Sequence, residues 1–324
     1  QVARRALEAA RTLGDPRFLG QAQAALEPWW KGDDVPPAAR LLRATLKQSQ
    51  HDFEGALRDL DFLVNAEPAL AQARLTRATV LAVVGRYADA RRDCAALRGR
   101  AAAIVVAGCD AVPASLTGSA GDAYGTLVRA LADPRGSGDV REWALTLAAE
   151  IAARRGDATA ADAHFRQALA LDPEDAYLKG AYADFLIDQN RARDVLPIVR
   201  DDTRNDALLL RLALAEQRLP DERTAFTEHR RELADRFDAA RRRGDSLHRR
   251  EEARFRLAIE NDAAGALTLA RDNWAVQREP ADLRILIESA RAAGDAGALK
   301  VATDWIASNR LEDAATVTAM EARR

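Results

Sequence analysis

Two cysteines carry the most distinctive chemistry of this 324-residue sequence. Cys94 and Cys109 lie on either side of a predicted turn near Gly99 to Ala103. Two antiparallel helices joined there would place the thiols opposite each other, so a disulfide is geometrically possible and would indicate an oxidising compartment. The alternative is a pair of buried thiols that act as small core residues. A catalytic thiol is not expected, because no histidine has a sequence context that recommends it as a partner.

The other residues that could perform catalysis or bind a metal form no recognisable constellation. The histidines are scattered, and none has the spacing of metal ligands: His51, His164, His229 and His248. The glycines from Gly118 to Gly125 and from Gly136 to Gly138 lack the strand and the lysine of a phosphate-binding loop. The sequence therefore predicts no catalytic residue, no metal and no cofactor, and it favours a protein that is not an enzyme.

Charge is abundant but balanced. Charged residues make up 30% of the chain and the net charge is −2, so no global field points to nucleic acid or to a membrane. In the arginine-rich stretch from Arg223 to Arg256 acidic residues alternate with the basic ones, which predicts a salt-bridged helix surface rather than a patch for an anionic partner. The longest apolar run, Ala101 to Leu116, is interrupted by Asp110 and Pro113 and is shorter than the roughly 20 residues of a membrane span. We expect neither a nucleic-acid partner nor membrane insertion.

Composition also bears on the source and the compartment. Alanine is abundant, and arginine dominates the basic residues, with lysine only at Lys31, Lys47, Lys179 and Lys300. We interpret this as the bias of GC-rich coding and expect a bacterial source. Because the sequence starts at Gln1, a targeting leader cannot be read from it. The compartment stays open between the periplasm and the cytoplasm, and we favour export.

The elements that would position these residues are paired helices, best seen from Glu142 to Pro173. This stretch predicts a helix, a tight break at Gly156-Asp157 and a second helix. In the second helix Ala161 is followed by Phe165 four residues later, and Pro173 stands eight residues after Phe165. A small residue, an aromatic residue and a terminal proline at these spacings indicate one unit of a helical repeat.

The same unit recurs along the chain. A shift of 34 residues maps Phe53 onto Tyr87 and Ala56 onto Ala90. Small residues at fixed points would let neighbouring helices approach closely: Ala44, Ala56, Ala78, Ala90, Ala149, Ala161 and Ala183. The third unit is weaker, because Pro113 falls where its first helix should be continuous. We expect a kink or a shortened helix there.

These features together resemble the tetratricopeptide-repeat family. The family's usual early tryptophan is absent, and Arg40, Arg74 and Leu145 occupy its place. The resemblance implies an all-α, right-handed superhelical solenoid of antiparallel helix pairs. Residues 1–36 would form a degenerate first pair, residues 37–200 the best-formed repeats with an irregular third one, and residues 201–324 divergent pairs with a C-terminal capping helix over Leu311 to Arg324.

The resemblance further implies a scaffold that binds a peptide or an extended protein segment in a concave groove. The alternative is a self-associating assembly subunit of an envelope complex without a peptide ligand. The oligomeric state cannot be read from the sequence.

The groove of such an array is lined by the first helix of each pair. In the two best units the predicted groove residues are Trp143, Thr146, Glu150 and Arg154, followed by Tyr177, Gly180, Asp184 and Asp188. An aromatic anchor beside carboxylates would favour an extended segment that bears arginine or lysine. The alternative is that the two aromatic residues pack between repeats while the acids are merely solvated.

Overall fold

The computed structural model describes residues 1–15, 17–134, 136–245 and 247–321. Within these residues the regular structure is helical throughout, with no strand. The helices group into two compact units: unit 1 holds residues 1–155, 159–175 and 309–312, and unit 2 holds residues 156–158, 176–308 and 313–321. None of the described helices is both long and apolar enough to cross a membrane.

Unit 1 consists of helices that pack in consecutive pairs. A short 3₁₀ turn, Glu27–Trp29, follows the second helix. The α-helices are α1 (Val2–Leu13), α2 (Arg17–Ala25), α3 (Pro37–Ser49), α4 (Phe53–Ala66), α5 (Ala71–Val83), α6 (Tyr87–Ala96), α7 (Ala103–Ser115), α8 (Ala120–Leu131), α9 (Gly138–Arg154) and α10 (Ala158–Leu171), the last belonging to unit 1 apart from its first residue.

Unit 2 continues the all-α architecture. A 3₁₀ turn, Pro220–Glu222, precedes its longest helix. Its α-helices are α11 (Ala176–Asp188), α12 (Ala192–Val199), α13 (Asp206–Glu216), α14 (Arg223–Arg242), α15 (Arg249–Ala258), α16 (Ala263–Val276), α17 (Pro280–Ala293), α18 (Ala296–Asn309), which belongs to unit 2 apart from its last residue, and α19 (Ala314–Glu321). A helix therefore lies within the range predicted for the C-terminal capping helix, at residues 314–321, and residues 322–324 lie outside the described chain.

The turn inside most helix pairs contains one residue with a left-handed backbone. Glycine adopts this conformation without steric cost, and asparagine tolerates it, so both suit the end of a helix. The φ angles of these residues range from 56° to 80° at Gly14, His51, Gly85, Gly118, Gly156, Asn190, Asn261 and Gly294. From His51 to Asn190 they recur at intervals of 33 to 38 residues, which is the repeat period seen in the backbone.

The cores lie where the repeat pattern predicts them. All seven predicted close-packing alanines are buried: Ala44, Ala56, Ala78, Ala90, Ala149, Ala161 and Ala183. In unit 1, Phe53 and Leu60 pack in one cluster with Val80 of the next first helix. Each pair thus buries its apolar face against its neighbour, as repeat arrays require. In unit 2, the rings of Phe237 and Phe255 lie 5.3 Å apart between α14 and α15.

The first helix of the third pair is not shortened. Helix α7 runs for 13 residues with Pro113 inside it, the same length as α3 and α5. Of the two effects expected at Pro113, a kink or a shortened helix, the shortening is therefore absent. Pro113 lies in the last turn of the helix, so few helical residues follow the one hydrogen bond that its missing N–H removes.

A buried ion-pair motif repeats at the same 34-residue period. On α3 and α4, Arg43 donates to Asp59 through Nε at 2.8 Å, and Asp59 is 2% exposed. On α5 and α6, Arg77 donates to Asp93 through Nε at 2.7 Å and Nη2 at 2.6 Å. Arg40 and Arg74, which stand in place of the family's tryptophan, reach the same two carboxylates. In these two repeats an ion pair between arginine and aspartate therefore stands where the family pattern has a packed aromatic ring.

Candidate functional site

The predicted groove residues fall into two sets, four on α9 in unit 1 and four on α11 in unit 2. On α9, the half-buried Trp143 packs against α7. A Cβ atom at Gly108 would lie only 2.5 Å from Cη2 and Cζ3 of the Trp143 ring. Gly108 therefore provides the space that the ring occupies, and part of Trp143 belongs to the packing between helices.

Thr146 faces inward. It is 3% exposed, and its hydroxyl donates to Glu142 at 3.1 Å (main-chain O) and 2.9 Å (Oε1). Burial raises the pKa of Glu142, and the neighbouring Asp175 carboxylate adds to this effect. Asp175 in turn accepts a 2.6 Å hydrogen bond from Nη1 of Arg11 on α1. Thr146 is therefore bound to its own helix and offers nothing to a ligand.

The remaining pair on α9 is half-buried. Arg154 donates through Nη2 to the hydroxyl of Ser115 on α7 at 3.0 Å, and Glu150 is partly exposed. Two of the four predicted residues of α9, Trp143 and Arg154, thus contact α7. The structure does not assemble all four into one open surface.

On α11 the structure leaves a single narrow stripe accessible. We define the α11 stripe as Tyr177, Ala181, Asp184 and Asp188; most of the remaining helix is buried. Tyr177 is 58% exposed. Gly180, which was predicted to face the groove, is buried, and a Cβ there would lie 3.3 Å from Nε of Arg211.

The inward position of Gly180 on α11 has a geometric cause, which does not by itself account for Thr146 on α9. With 3.6 residues per turn, positions i+4, i+7 and i+11 stay within about 40° of position i, whereas i+3 is turned by about 60°. From Tyr177 the stripe therefore passes through Ala181 rather than Gly180, and the corresponding residue from Trp143 is Leu147 rather than Thr146. Leu147 is itself 8% exposed.

Asp184 is the centre of an ion-pair cluster on the first helices of unit 2. It accepts hydrogen bonds from Arg211 of α13 at 3.0 Å (Nε) and 2.6 Å (Nη2), and from Arg254 of α15. Burial alone would raise the pKa of Asp184, but the two guanidinium groups outweigh it and lower the pKa to about 2. This carboxylate stays ionised and is already paired.

The end of the stripe is paired in the same way. Nη1 of Arg284 on α17 donates to Asp188 at 2.6 Å, and its Nε donates to Glu288 at 2.7 Å. Burial alone would lower the pKa of Arg284, but the carboxylates of Asp188 and Glu288 outweigh this effect and raise it. Three arginines are therefore paired with three carboxylates, Asp184, Asp188 and Glu288, so the charge of this cluster is balanced.

A second ion-pair cluster surrounds Arg250 on α15. Arg250 contacts Glu251, Glu279 and the fully buried Asp282. Burial would raise the pKa of Glu251, but Arg250 foremost lowers it to about 2. The arginine-rich stretch from Arg223 to Arg256 is thus a salt-bridged surface, as its alternating charges predict, although several of its partners lie on other helices.

Sequence reasoning missed the arginines that complete the stripe. Arg211 could have been found, because adding the 34-residue period to Tyr177 gives position 211. Arg254 and Arg284 could not, since the period loosens after α12 and their partners lie 70 and 96 residues away.

Cys94 and Cys109 are joined by a disulfide in this structure, with their Cα atoms 5.4 Å apart. The bond links the buried side of α6 to α7, and both residues are shielded from solvent. Its position makes it a clamp between two consecutive helix pairs rather than a reactive group.

No protein-family model and no curated protein matches this sequence. Several solved structures are similar to this chain over most of its length. A tetratricopeptide repeat protein from Parabacteroides merdae ATCC 43184 is 11% identical, with 91% of this chain and 100% of that chain covered at a TM-score of 0.44. Yeast Tom70 is 15% identical, with 91% of this chain and 60% of that chain covered at a TM-score of 0.46. Human IFIT1, as a dimer with m7Gppp-AAAA, is 10% identical, with 95% and 80% covered at a TM-score of 0.48.

The fold is tetratricopeptide-like. The helix pairs, the recurring left-handed turn residues and the buried alanines confirm the predicted resemblance. At these identities the likeness concerns the fold alone. One prediction about partners is wrong: the exclusion of nucleic acid. IFIT1, one of these similar structures, is solved with m7Gppp-AAAA, so a nucleic-acid partner is not excluded for this chain.

Proposed function

We propose that this tetratricopeptide-like chain is a non-enzymatic interaction scaffold that binds an extended segment of a partner protein along the α11 stripe. The observation that carries the proposal is the 58% exposure of Tyr177 at the start of a helix that is otherwise mostly buried. Tyrosine combines a large apolar ring with a polar hydroxyl, and it is among the residues that contribute most at protein interfaces.

The charged part of the stripe changes the chemistry expected of the segment. Asp184 and Asp188 were predicted to attract arginine or lysine, but each is already held by an arginine of this chain. A basic segment would have to displace Arg211, Arg254 or Arg284. The proposed segment therefore binds mainly through the Tyr177 ring and through hydrogen bonds to the balanced ion pairs, and its affinity should depend little on salt.

Site-specific photo-crosslinking tests this proposal and captures the partner in the same step. A benzophenone amino acid replaces Tyr177 in one variant and Leu171 in another. Leu171, at the end of α10, is 48% exposed, is not part of the stripe and serves as the matched control. Cross-linking in the source cells should join a partner protein to position 177 and not to position 171.

Two outcomes contradict the proposal. Equal cross-linking at both positions would indicate non-specific contact. No partner at position 177, together with concentration-dependent dimerisation of the purified chain, would favour the alternative role as a self-associating assembly subunit.

A further inference from the structure

A cleft of about 570 Å³ opens between α6, α7 and α8 in unit 1. Its volume falls within the range of about 300–1,000 Å³ that is typical of ligand-binding clefts. Most of its apolar lining comes from small side chains: Ala103, Val106, Ala107, Ala111, Ala114 and Ala123. Because these side chains do not fill the space between the helices, an apolar group from outside could occupy it.

The sequence of α7 explains why the cleft lies here. Ala103, Ala107, Ala111 and Ala114 follow one another at spacings of four, four and three residues, so they share one face of the helix. The disulfide from Cys94 to Cys109 ties α6 to α7. Since this bond limits the movement of α6 relative to α7, the cleft cannot close by a simple shift of the two helices.

Charged side chains of both signs flank the cleft. Arg91 is paired with Asp110, with Nε 2.9 Å from Oδ1. Arg98 on the α6 side and Asp122 in the first turn of α8 are both exposed, and within the described residues neither side chain has an ion-pair or hydrogen-bond partner. The apolar lining is therefore flanked by one available cation and one available anion.

We propose that this cleft is a second docking site, for a protein segment that places aliphatic side chains on the alanine lining, an acidic residue against Arg98 and a basic residue against Asp122. The opposite charges favour such a segment over a fatty acid, whose carboxylate would satisfy Arg98 but leave Asp122 without a counter-charge. This inference is independent of the α11 stripe, because no residue is shared between the two surfaces.

Fluorescence polarisation with a defined probe tests the proposal. The probe is a fluorescein-labelled peptide with blocked ends, in which a leucine pair stands between a glutamate and a lysine. The wild-type chain should bind it with a Kd below about 1 mM. A peptide with serines in place of the leucines should not bind, and dodecanoate should not compete with the probe.

Charge-swap variants make the test specific. Arg98→Glu and Asp122→Lys should each weaken binding about tenfold or more. The double variant Arg98→Glu/Asp122→Lys should restore it, since the peptide can bind in the opposite direction. Arg100→Glu makes the same charge change at an exposed arginine that does not line the cleft, and it should have no effect.

A plugging variant tests the apolar lining. Ala107→Phe should abolish binding, because the ring would fill the space that the leucines need. If this variant loses helicity by circular dichroism, the surface charge variants still decide the question. The proposal is overturned if the wild type does not bind the probe, if Arg98→Glu and Arg100→Glu behave alike, or if dodecanoate displaces the peptide.

Discussion

Asp184 on α11 and Arg254 on α15 form a direct ion pair although 70 residues separate them in the sequence. The same carboxylate also binds Arg211 on α13. The first helices of three successive pairs in unit 2 therefore meet at one side chain. This contact links helices that a local repeat pattern alone would leave apart, and it has a measurable consequence for stability.

We predict that Asp184→Asn destabilises the protein at neutral pH and not at acidic pH. The folded pKa is about 2, below the ordinary value of 3.8, so the carboxylate contributes stability above its unfolded pKa and loses it as the pH falls towards 2. The difference in pKa corresponds to about 2 kcal/mol at pH 7. Urea unfolding of wild type and variant should give midpoints that differ at about pH 7 and converge at about pH 2–3.

Asp235→Asn is the control for this pH dependence. Asp235 lies on the exposed side of α14 in the same unit. Its variant should follow the wild type at every pH. A constant difference between Asp184→Asn and wild type across the pH range would show that the two arginines do not lower the pKa of Asp184.

Arg77 of the buried ion-pair motif allows a buried and an exposed ion pair of the same arginine to be compared. Arg77 binds the buried Asp93 and also Asp61, whose side chain is 60% exposed. Asp93→Ala leaves a shielded guanidinium without its main partner and should cost about 3–5 kcal/mol of unfolding free energy. Asp61→Ala should cost less than about 1 kcal/mol, because solvent screens the exposed pair. Denaturant unfolding measures both, and equal losses would contradict the structural role of Asp93.

How far the sequence predicts this fold can be judged from particular elements. The repeat pattern located the turn at Gly156, the core residue Phe165 and the buried alanines, because each reflects local geometry that every repeat must satisfy. For residues 201–324 the resemblance implied divergent helix pairs, and the structure has helices throughout that range. Of the two effects expected at Pro113, a kink or a shortened helix, the shortening is absent, since a proline near a helix end removes little hydrogen bonding.

The site was less predictable, for two physical reasons. On α11 the partly exposed residue is Ala181, four residues after Tyr177, rather than the predicted Gly180. On α9 both Thr146 and Leu147 are buried, so no exposed stripe passes through either of them. The pairing of Asp184 with Arg254 depends on how strongly successive helix pairs turn, which is set by packing summed over several repeats. A sequence pattern that describes a single repeat therefore cannot predict which residues of distant repeats meet.

Packing between α7 and α9 gives a third prediction. Gly108→Ala would place a Cβ 2.5 Å from the Trp143 ring and should destabilise the protein by about 1–3 kcal/mol through overpacking. In a Trp143→Leu background the same change should cost much less, because the obstructing ring is gone. Thermal unfolding measures the coupling.

The matched control is Gly121→Ala on α8, where a Cβ would meet nothing within 4 Å. Alanine is the better helix former, so this variant should be neutral or slightly stabilised. If Gly108→Ala were equally harmless, Trp143 would not be packed as the structure has it, and it would be free for a ligand.

The disulfide provides a fourth prediction. Protein prepared without reductant, with thiols alkylated at lysis and again after unfolding, should show no modified cysteine. Cys94→Ser/Cys109→Ser should lose about 3 kcal/mol of unfolding free energy, as expected for a closed loop of about 15 residues. Reductant should lower the unfolding midpoint of the wild type and leave the double variant unchanged.

Two alkylated cysteines after unfolding would contradict the bond. The pair would then act as small buried thiols, and the two cysteines would no longer indicate an oxidising compartment.

The affinity of the partner segment captured at position 177 tests the central claim most directly. Isothermal titration should show that Tyr177→Ala raises the Kd about tenfold or more, as is typical of an aromatic anchor, while Leu171→Ala changes it less than about twofold. Circular dichroism should show the same helicity for both variants and the wild type. Equal affinities for wild type and Tyr177→Ala, with helicity intact, would contradict the role of the α11 stripe as a binding surface.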